Sequence, residues 1–216
     1  IRDRSHIGFI YLQNDRLGEA IALLESRMAE GKPRPQIFHY LSSLYMADGQ
    51  NEKAVMTVEE GVRRYPDHVE LLYQKGLVLE RSGLHEEAVR AMQEVLALDD
   101  KHAEALNFIA YDYALANRNL DEALVYAERA FSLDQAPHIL DTLGWVYYRL
   151  GRFQDALNAI EEASRQLSED AVVFEHLGEI HLALGNQKAA RAAFERALQL
   201  QPDNHDLRDK LENLSE

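Results

Sequence analysis

Residues 171–204, AVVFEHLGEIHLALGNQKAARAAFERALQLQPDN, decide the fold. The first apolar stripe has the i, i+3, i+4, i+7 spacing of one helix face and consists of Phe174, Leu177, Gly178 and His181. Gly185-Asn186 breaks this pattern, and a second stripe follows at Ala190, Phe194, Ala197 and Leu198. Pro202-Asp203 ends the second stripe, because proline is a poor continuation of a helix. The stretch therefore predicts two amphipathic helices joined by a short turn.

The same pattern recurs upstream with a constant period. A small residue returns at Gly8, Ser42, Gly76, Ala110, Gly144 and Gly178, so that every interval is 34. An alanine follows it in each block, at Ala20, Ala54, Ala88, Ala123, Ala156 and Ala190, with Ala123 displaced by one residue. We infer one extra residue near Asn117–Asn119, which is compensated by one fewer before Pro137. The chain thus divides into six blocks and a tail, which are 1–34, 35–68, 69–102, 103–136, 137–170, 171–204 and 205–216.

Helix packing explains the small residues at these positions. Two antiparallel helices approach closely only where their side chains are short, so glycine or alanine is expected at the contact. One helix pair cannot bury both of its faces, and each block therefore packs against the next. In the tail, Leu207, Leu211 and Leu214 share one side of a helix that would cap the last block. No segment alternates with period two, and we expect almost no β-strand.

The small-x₂-Tyr pattern, followed by Gly, Ala, an aromatic residue, Ala and Pro with a period of 34, resembles the tetratricopeptide repeat (TPR). The resemblance implies an all-α, right-handed α-solenoid of six helix–turn–helix repeats with a C-terminal capping helix. It also implies a non-enzymatic scaffold or adaptor that binds a peptide or extended segment of another protein in a concave groove. The alternative is a structural or self-associating array, a spacer without a groove ligand.

A narrower resemblance concerns compartment. Residues 105–107 (ALN), 120–124 (LDEAL) and 143–151 (LGWVYYRLG) are similar to TPR proteins of Gram-negative envelopes, many of them lipoproteins. This implies a bacterial protein of the periplasm or outer membrane, with the cytoplasm as the alternative. The chain starts with Ile1 rather than Met, which suggests a piece of a longer protein.

The composition excludes several classes of partner and of site. The net charge of −14 repels phosphate backbones and anionic lipid, so we expect neither nucleic acid nor a membrane surface as a partner. No apolar run is long enough to insert into a membrane. The absence of cysteine excludes disulfides, thiol catalysis and thiolate metal sites.

No catalytic, cofactor or metal motif appears in the sequence. Phosphate-binding, dinucleotide-binding and nucleophile-elbow glycine patterns are all missing. His176 and His181 approach a zinc-ligand spacing, but residues five apart on a helix point about 140° away from each other and cannot share one ion. We therefore expect no enzyme activity, no cofactor and no metal.

A second face of each first helix is not explained by packing within a block. Positions 5, 9 and 12 of each repeat point about 130° away from the packing face. In TPR proteins this face lines the groove, and in the later blocks it carries the candidate binding residues Tyr73, Leu77, Asn107, Tyr111, Asp141, Trp145, Tyr148, Glu175 and Glu179. Aromatic anchors beside an amide are typical of peptide grooves.

The acidic residues at one end of this face predict a basic group in the ligand. We expect a partner segment with apolar or aromatic side chains in the middle and a lysine or arginine near Glu175 and Glu179. The competing interpretation is that Tyr111 and Trp145 pack on neighbouring first helices, and that the carboxylates are merely solvated.

Overall fold

The computed structural model describes residues 16–214, and within that range the chain forms twelve α-helices and no β-strand. A first unit extends to Asp100 and contains α1 (Leu17–Ala29), α2 (Pro35–Ala47), α3 (Asn51–Arg64), α4 (Val69–Arg81) and α5 (His85–Leu98). A second unit begins at Lys101 and contains α6 (Ala103–Leu115), α7 (Leu120–Leu133), α8 (Pro137–Arg149), α9 (Phe153–Gln166), α10 (Ala171–Ala183), α11 (Gln187–Leu200) and α12 (His205–Asn213). The predicted all-α fold of repeated helix pairs is confirmed.

The helices follow the period read from the sequence. First helices of successive pairs are 13 residues long and begin at the constant spacing of the repeat, at Pro35, Val69, Ala103, Pro137 and Ala171. The second helices α3, α5, α7, α9 and α11 are 14 residues long. Helix α12 lies where the sequence predicts the capping helix. Helix α1 is the second helix of the first predicted block, whose first helix lies outside the described residues.

Each unit buries its own apolar side chains. In the first unit, Leu41, Tyr45 and Val58 belong to a core between α1, α2 and α3. In the second unit, Ile160 of α9 and Ile180 of α10 share one buried cluster. A further cluster joins α11 to α12 through Ala190, Phe194, Ala197, Leu207 and Leu214. The helix pairs are therefore held to their neighbours by the apolar stripes, as the periodicity predicts.

The turn after α6 differs from the others. Turns within the other described pairs use a glycine with positive φ, at Gly49, Gly83, Gly151 and Gly185. After α6, Asn117 and Asn119 take the left-handed conformation at φ 51° and 50°, which asparagine tolerates better than most residues. This turn spans residues 116–119, one more than the other turns, and only residues 134–136 separate α7 from α8. The predicted insertion and its compensation are thus both present.

Glycines mark the closest approach of paired helices. A Cβ added at Gly178 of α10 would lie 2.6 Å from Cδ1 of the Phe194 ring on α11. The same repeat position in the first unit is Gly76 on α4, where an added Cβ would meet the flexible end of the Met92 side chain. Phe194 is fully buried and rigid, whereas the Met92 thioether can rotate away.

We expect Gly178→Ala to destabilise the chain and Gly76→Ala to be nearly neutral. Overpacking against a locked ring costs about 1–3 kcal/mol, while replacing glycine by alanine inside a helix returns roughly 1 kcal/mol. Urea unfolding of the two variants measures the difference. Equal free energies of unfolding would contradict the close approach of α10 and α11.

Candidate functional site

The first helices of the second unit carry most of the predicted binding residues. Helix α6 packs against α8, and α8 contacts α10. Seven of the nine candidates lie on these helices, namely Asn107, Tyr111, Asp141, Trp145, Tyr148, Glu175 and Glu179. Tyr73 and Leu77 lie on α4 in the first unit, where both are half-buried. The second unit therefore holds the candidate site.

Trp145 is a packing residue rather than an exposed anchor. Its side chain is 8% exposed. The indole is stacked between two rings, with centroids 4.1 Å from His176 on α10 and 4.7 Å from Tyr148 on its own helix. Offset stacking of this kind adds to the free energy gained from burial. The competing interpretation from the sequence, packing on the neighbouring first helix, describes Trp145 correctly.

Asp141 is also turned inward. Its carboxylate oxygen Oδ1 lies 3.0 Å from Nδ1 of His176, and both side chains are buried. A buried polar group requires a hydrogen-bond partner, and these two residues satisfy each other across α8 and α10. His176 thus bonds Asp141 and stacks on Trp145, which gives it a structural role instead of the metal-ligand role considered from the sequence.

Glu175 and Glu179 already face a lysine, which belongs to the chain itself. Nζ of Lys210 on α12 lies 2.7 Å from Oε1 of Glu175 and 2.6 Å from Oε1 of Glu179. Burial alone would lower the pKa of Lys210, but hydrogen bonds and the charges of both carboxylates outweigh it and raise that pKa. The sequence predicted that a partner segment would supply a basic group here, whereas in the structure Lys210 of the chain itself pairs with both carboxylates.

These contacts follow one rule of position. His176 and Lys210 are each the sixth residue of their block, and each reaches back to positions 5 and 9 of the preceding first helix. In the first unit, Gln74 is also at position 6, and its side-chain nitrogen donates to Oγ of Ser43 at position 9, at 2.9 Å. We call this the position-6 contact. It was not predicted from the sequence, although polar side chains at His176 and Lys210, one full period apart, were a visible signal.

The position-6 contact is not made between α6 and α8. Thr142 is at position 6 of α8, but its hydroxyl donates to the carbonyl of His138 on its own helix, at 3.2 Å. Asn107, at position 5 of α6, has a half-buried side chain whose Oδ1 finds no hydrogen-bond partner among the described residues. An amide oxygen in this condition is uncommon in native structures and calls for an explanation.

Two half-buried tyrosines lie on these helices, Tyr111 on α6 and Tyr148 on α8. Tyr111 lies one turn after Asn107 on α6, and its ring centroid is 6.2 Å from that of His176. Burial, and then the negative charges of Asp141 and Glu175, raise the pKa of Tyr111 to about 12. Burial and the charge of Glu179 also raise the pKa of Tyr148. Both phenols therefore stay neutral near neutral pH and present amphipathic rings.

No helix among residues 16–214 is long and apolar enough to cross a membrane.

The chain matches one family model over most of its repeats. The model is described as tetratricopeptide repeat and covers residues 41–103 and 142–205. The TPR repeat-containing protein PA4667 of Pseudomonas aeruginosa is 30% identical over 175 residues, covering 77% of this chain and 30% of that protein. The TPR repeat-containing protein YpiA of Bacillus subtilis is 26% identical over 206 residues, covering 94% of this chain and 48% of that protein. The chain thus spans less than half the length of these relatives.

Solved structures show the same fold. The APC/C hetero-tetramer Cut9–Hcn1 matches with a TM-score of 0.85 at 16% identity, over 97% of this chain and 42% of that chain. MamA of Desulfovibrio magneticus RS-1 matches with a TM-score of 0.64 at 22% identity, over 79% of this chain and 97% of that one. At these identities the likeness concerns the fold alone.

Burial of Trp145, the single tryptophan of the chain, has a measurable consequence. We expect blue-shifted fluorescence that acrylamide quenches slowly, because stacked rings exclude solvent from the indole. Trp145→Ala should lower the free energy of unfolding by about 3–5 kcal/mol, since it removes a large buried side chain. Rapid quenching, together with unchanged stability of the variant, would show that the ring faces solvent instead.

Proposed function

This chain belongs to the tetratricopeptide repeat family, and we propose that it is a non-catalytic scaffold that binds an extended segment of another protein. The segment would lie on the face of α6 and α8 that repeat positions 5, 9 and 12 form, here called the inner face, with Asn107 and Tyr111 as its main contacts. TPR repeats generally mediate protein–protein interaction.

The observation that carries the proposal is the unsatisfied amide of Asn107. Elsewhere in the second unit, position-5 side chains are paired, Asp141 with His176 and Glu175 with Lys210. Asn107 occupies the same repeat position, yet its Oδ1 has no partner within the described residues. An extended segment carries unpaired main-chain N–H and C=O groups. The Oδ1 atom is buried within a half-buried side chain, so a rotation of the amide would be needed to present its oxygen or its nitrogen to such a backbone.

Tyr111 supplies apolar area one turn after that amide, and Tyr148 lies on α8 stacked on Trp145. Both rings are half-buried, so packing restrains them while part of each stays exposed. A ring held in this way offers contact area at a small entropic cost, which favours aromatic or aliphatic side chains in the ligand. Trp145 contributes indirectly, by holding Tyr148 in the stack.

Charge limits the class of partner. With a net charge of −14, the chain favours a neutral or basic protein segment over nucleic acid or anionic lipid. A basic residue of such a segment would reach Glu175 and Glu179 only in place of Lys210.

A location in the Gram-negative envelope is part of the proposal. It rests on the resemblance of residues 143–151 to envelope TPR proteins and on the relative in Pseudomonas aeruginosa. Fractionation of the native cells into periplasm, membranes and cytoplasm tests it, and recovery in the cytoplasm alone would refute it.

Selection of displayed peptides on the full chain tests the binding site. We expect the selected peptides to bind the wild-type chain, and Asn107→Ala combined with Tyr111→Ala to weaken them about tenfold or more, as for residues at the centre of an interface. Fluorescence anisotropy of a labelled selected peptide measures the affinity.

The matched control for this experiment is Val125→Ala. Val125 is 53% exposed on the second helix α7, and we expect its truncation to leave peptide affinity unchanged. Circular dichroism confirms that each variant is folded. Selected peptides that bind the double variant as tightly as the wild type would remove the site from the inner face of α6 and α8.

A further inference from the structure

Arg149, the last residue of α8, lies at the edge of the inner face. It directly follows Tyr148, which is at position 12, and its guanidinium carbon Cζ lies 5.8 Å from the centroid of the Trp145 ring. Its Nε donates to Oδ1 of Asn117, in the turn after α6, at 3.3 Å. Contacts with α8 and with this turn therefore restrain the guanidinium.

The terminal nitrogens of Arg149, Nη1 and Nη2, have no acceptor among residues 16–214. Four arginines of that range are half-buried, and each of the other three donates a terminal nitrogen to a backbone carbonyl. These pairs are Arg191 with Leu214, Arg196 with Ser168, and Arg208 with Pro202. Neither terminal nitrogen of Arg149 is fully buried, so a ligand can reach both of them.

The charge of Arg149 is also uncompensated. Arg118 and Arg152, which lie in the turns after α6 and α8, pair with Asp112 and Asp155. Arg149 forms no ion pair within the described part of the chain, although the net charge of the protein is −14. A restrained cation with two unused donors is suited to an anionic group of a ligand.

We propose that Arg149 binds a carboxylate of the partner segment, which is either an Asp or Glu side chain or the carboxyl end of the segment. This inference rests on the proposed function, since it concerns the same segment on α6 and α8. Because Asn117 engages Nε, the two terminal nitrogens supply the parallel donors that match two carboxylate oxygens. A single carboxylate is compatible with a segment that is neutral or basic as a whole.

The repeat positions indicate where the carboxylate lies in the segment. Arg149 is at position 13 of its block and Asn107 at position 5 of its own, a difference of about 12 Å along a helix axis. An extended segment needs roughly four residues or more to cover that distance. Leu115, at position 13 of α6, is 51% exposed and offers an apolar contact to a side chain near the carboxylate.

Synthetic versions of selected peptides test for the carboxylate on the wild-type chain. The peptides are selected from a library whose carboxyl ends are free. Each is then made in its original form, as a C-terminal amide, and with each Asp or Glu replaced by Asn or Gln. We expect one neutralised form to bind about tenfold more weakly, as when one partner of a charged, hydrogen-bonded pair is removed. That form identifies the source of the carboxylate, and fluorescence anisotropy measures the affinities.

Arg149→Gln tests whether Arg149 is the residue that holds the carboxylate. It should weaken the original peptide about tenfold and leave the affinity of the neutralised form unchanged, because both changes remove the same contact. A loss of packing around Trp145 would instead weaken both forms equally. The matched control, Arg152→Gln, removes the same charge from an exposed arginine that is paired with Asp155, and should weaken neither form. Circular dichroism confirms that both variants are folded.

Two results would overturn this proposal alone. They are selected peptides whose affinity depends on no carboxylate, and equal weakening of both peptide forms by Arg149→Gln. In either case, peptides that Asn107→Ala with Tyr111→Ala weakens would still place the segment on α6 and α8. Peptides that this double variant binds as tightly as the wild type would refute the proposed function, and the carboxylate contact with it.

Discussion

The side chain at position 6 of a first helix reaches back to the preceding first helix. This contact determines which polar groups at positions 5 and 9 are already paired within the chain. His176 bonds Asp141 and stacks on Trp145, and Lys210 joins Glu175 to Glu179. Each contact satisfies polar groups that would otherwise be buried or half-buried without a partner. The position-6 contact is one way in which successive repeats satisfy polar groups on the face that packing within a pair leaves open, and it is not required for stacking, since α6 packs against α8 without it.

The position-6 contact is missing between two neighbouring first helices. Between α6 and α8 the residue at position 6 is Thr142, whose short side chain turns to its own backbone. Asn107 therefore keeps an oxygen without a partner, beside the half-buried ring of Tyr111. Binding is thus proposed where the position-6 contact is interrupted.

The repeat period was sufficient to predict the helices, because it follows from small residues at helix contacts that any helix pair of this kind requires. Even the altered turn at Asn117 was visible as a one-residue shift. The site was predicted less well. Repeat position alone assigned Trp145 and Asp141 to the binding face, but it could not tell that His176 contacts both of them and that both are buried. That outcome depends on the side chain that the next block places at position 6, whereas the prediction rested on positions 5, 9 and 12 alone.

Paired substitutions at position 5 test this account most directly. Asp141→Ala and Asn107→Ala change residues that are one period apart and occupy the same repeat position. Asp141 takes part in a position-6 contact, and Asn107 does not. The free energy of unfolding, measured in urea, should fall by about 1–3 kcal/mol for Asp141→Ala, because His176 loses its buried partner. It should stay within about 0.5 kcal/mol of the wild type, or rise, for Asn107→Ala, since alanine favours a helix and the Oδ1 that is removed has no hydrogen-bond partner among the described residues. Equal losses at the two positions would contradict the account.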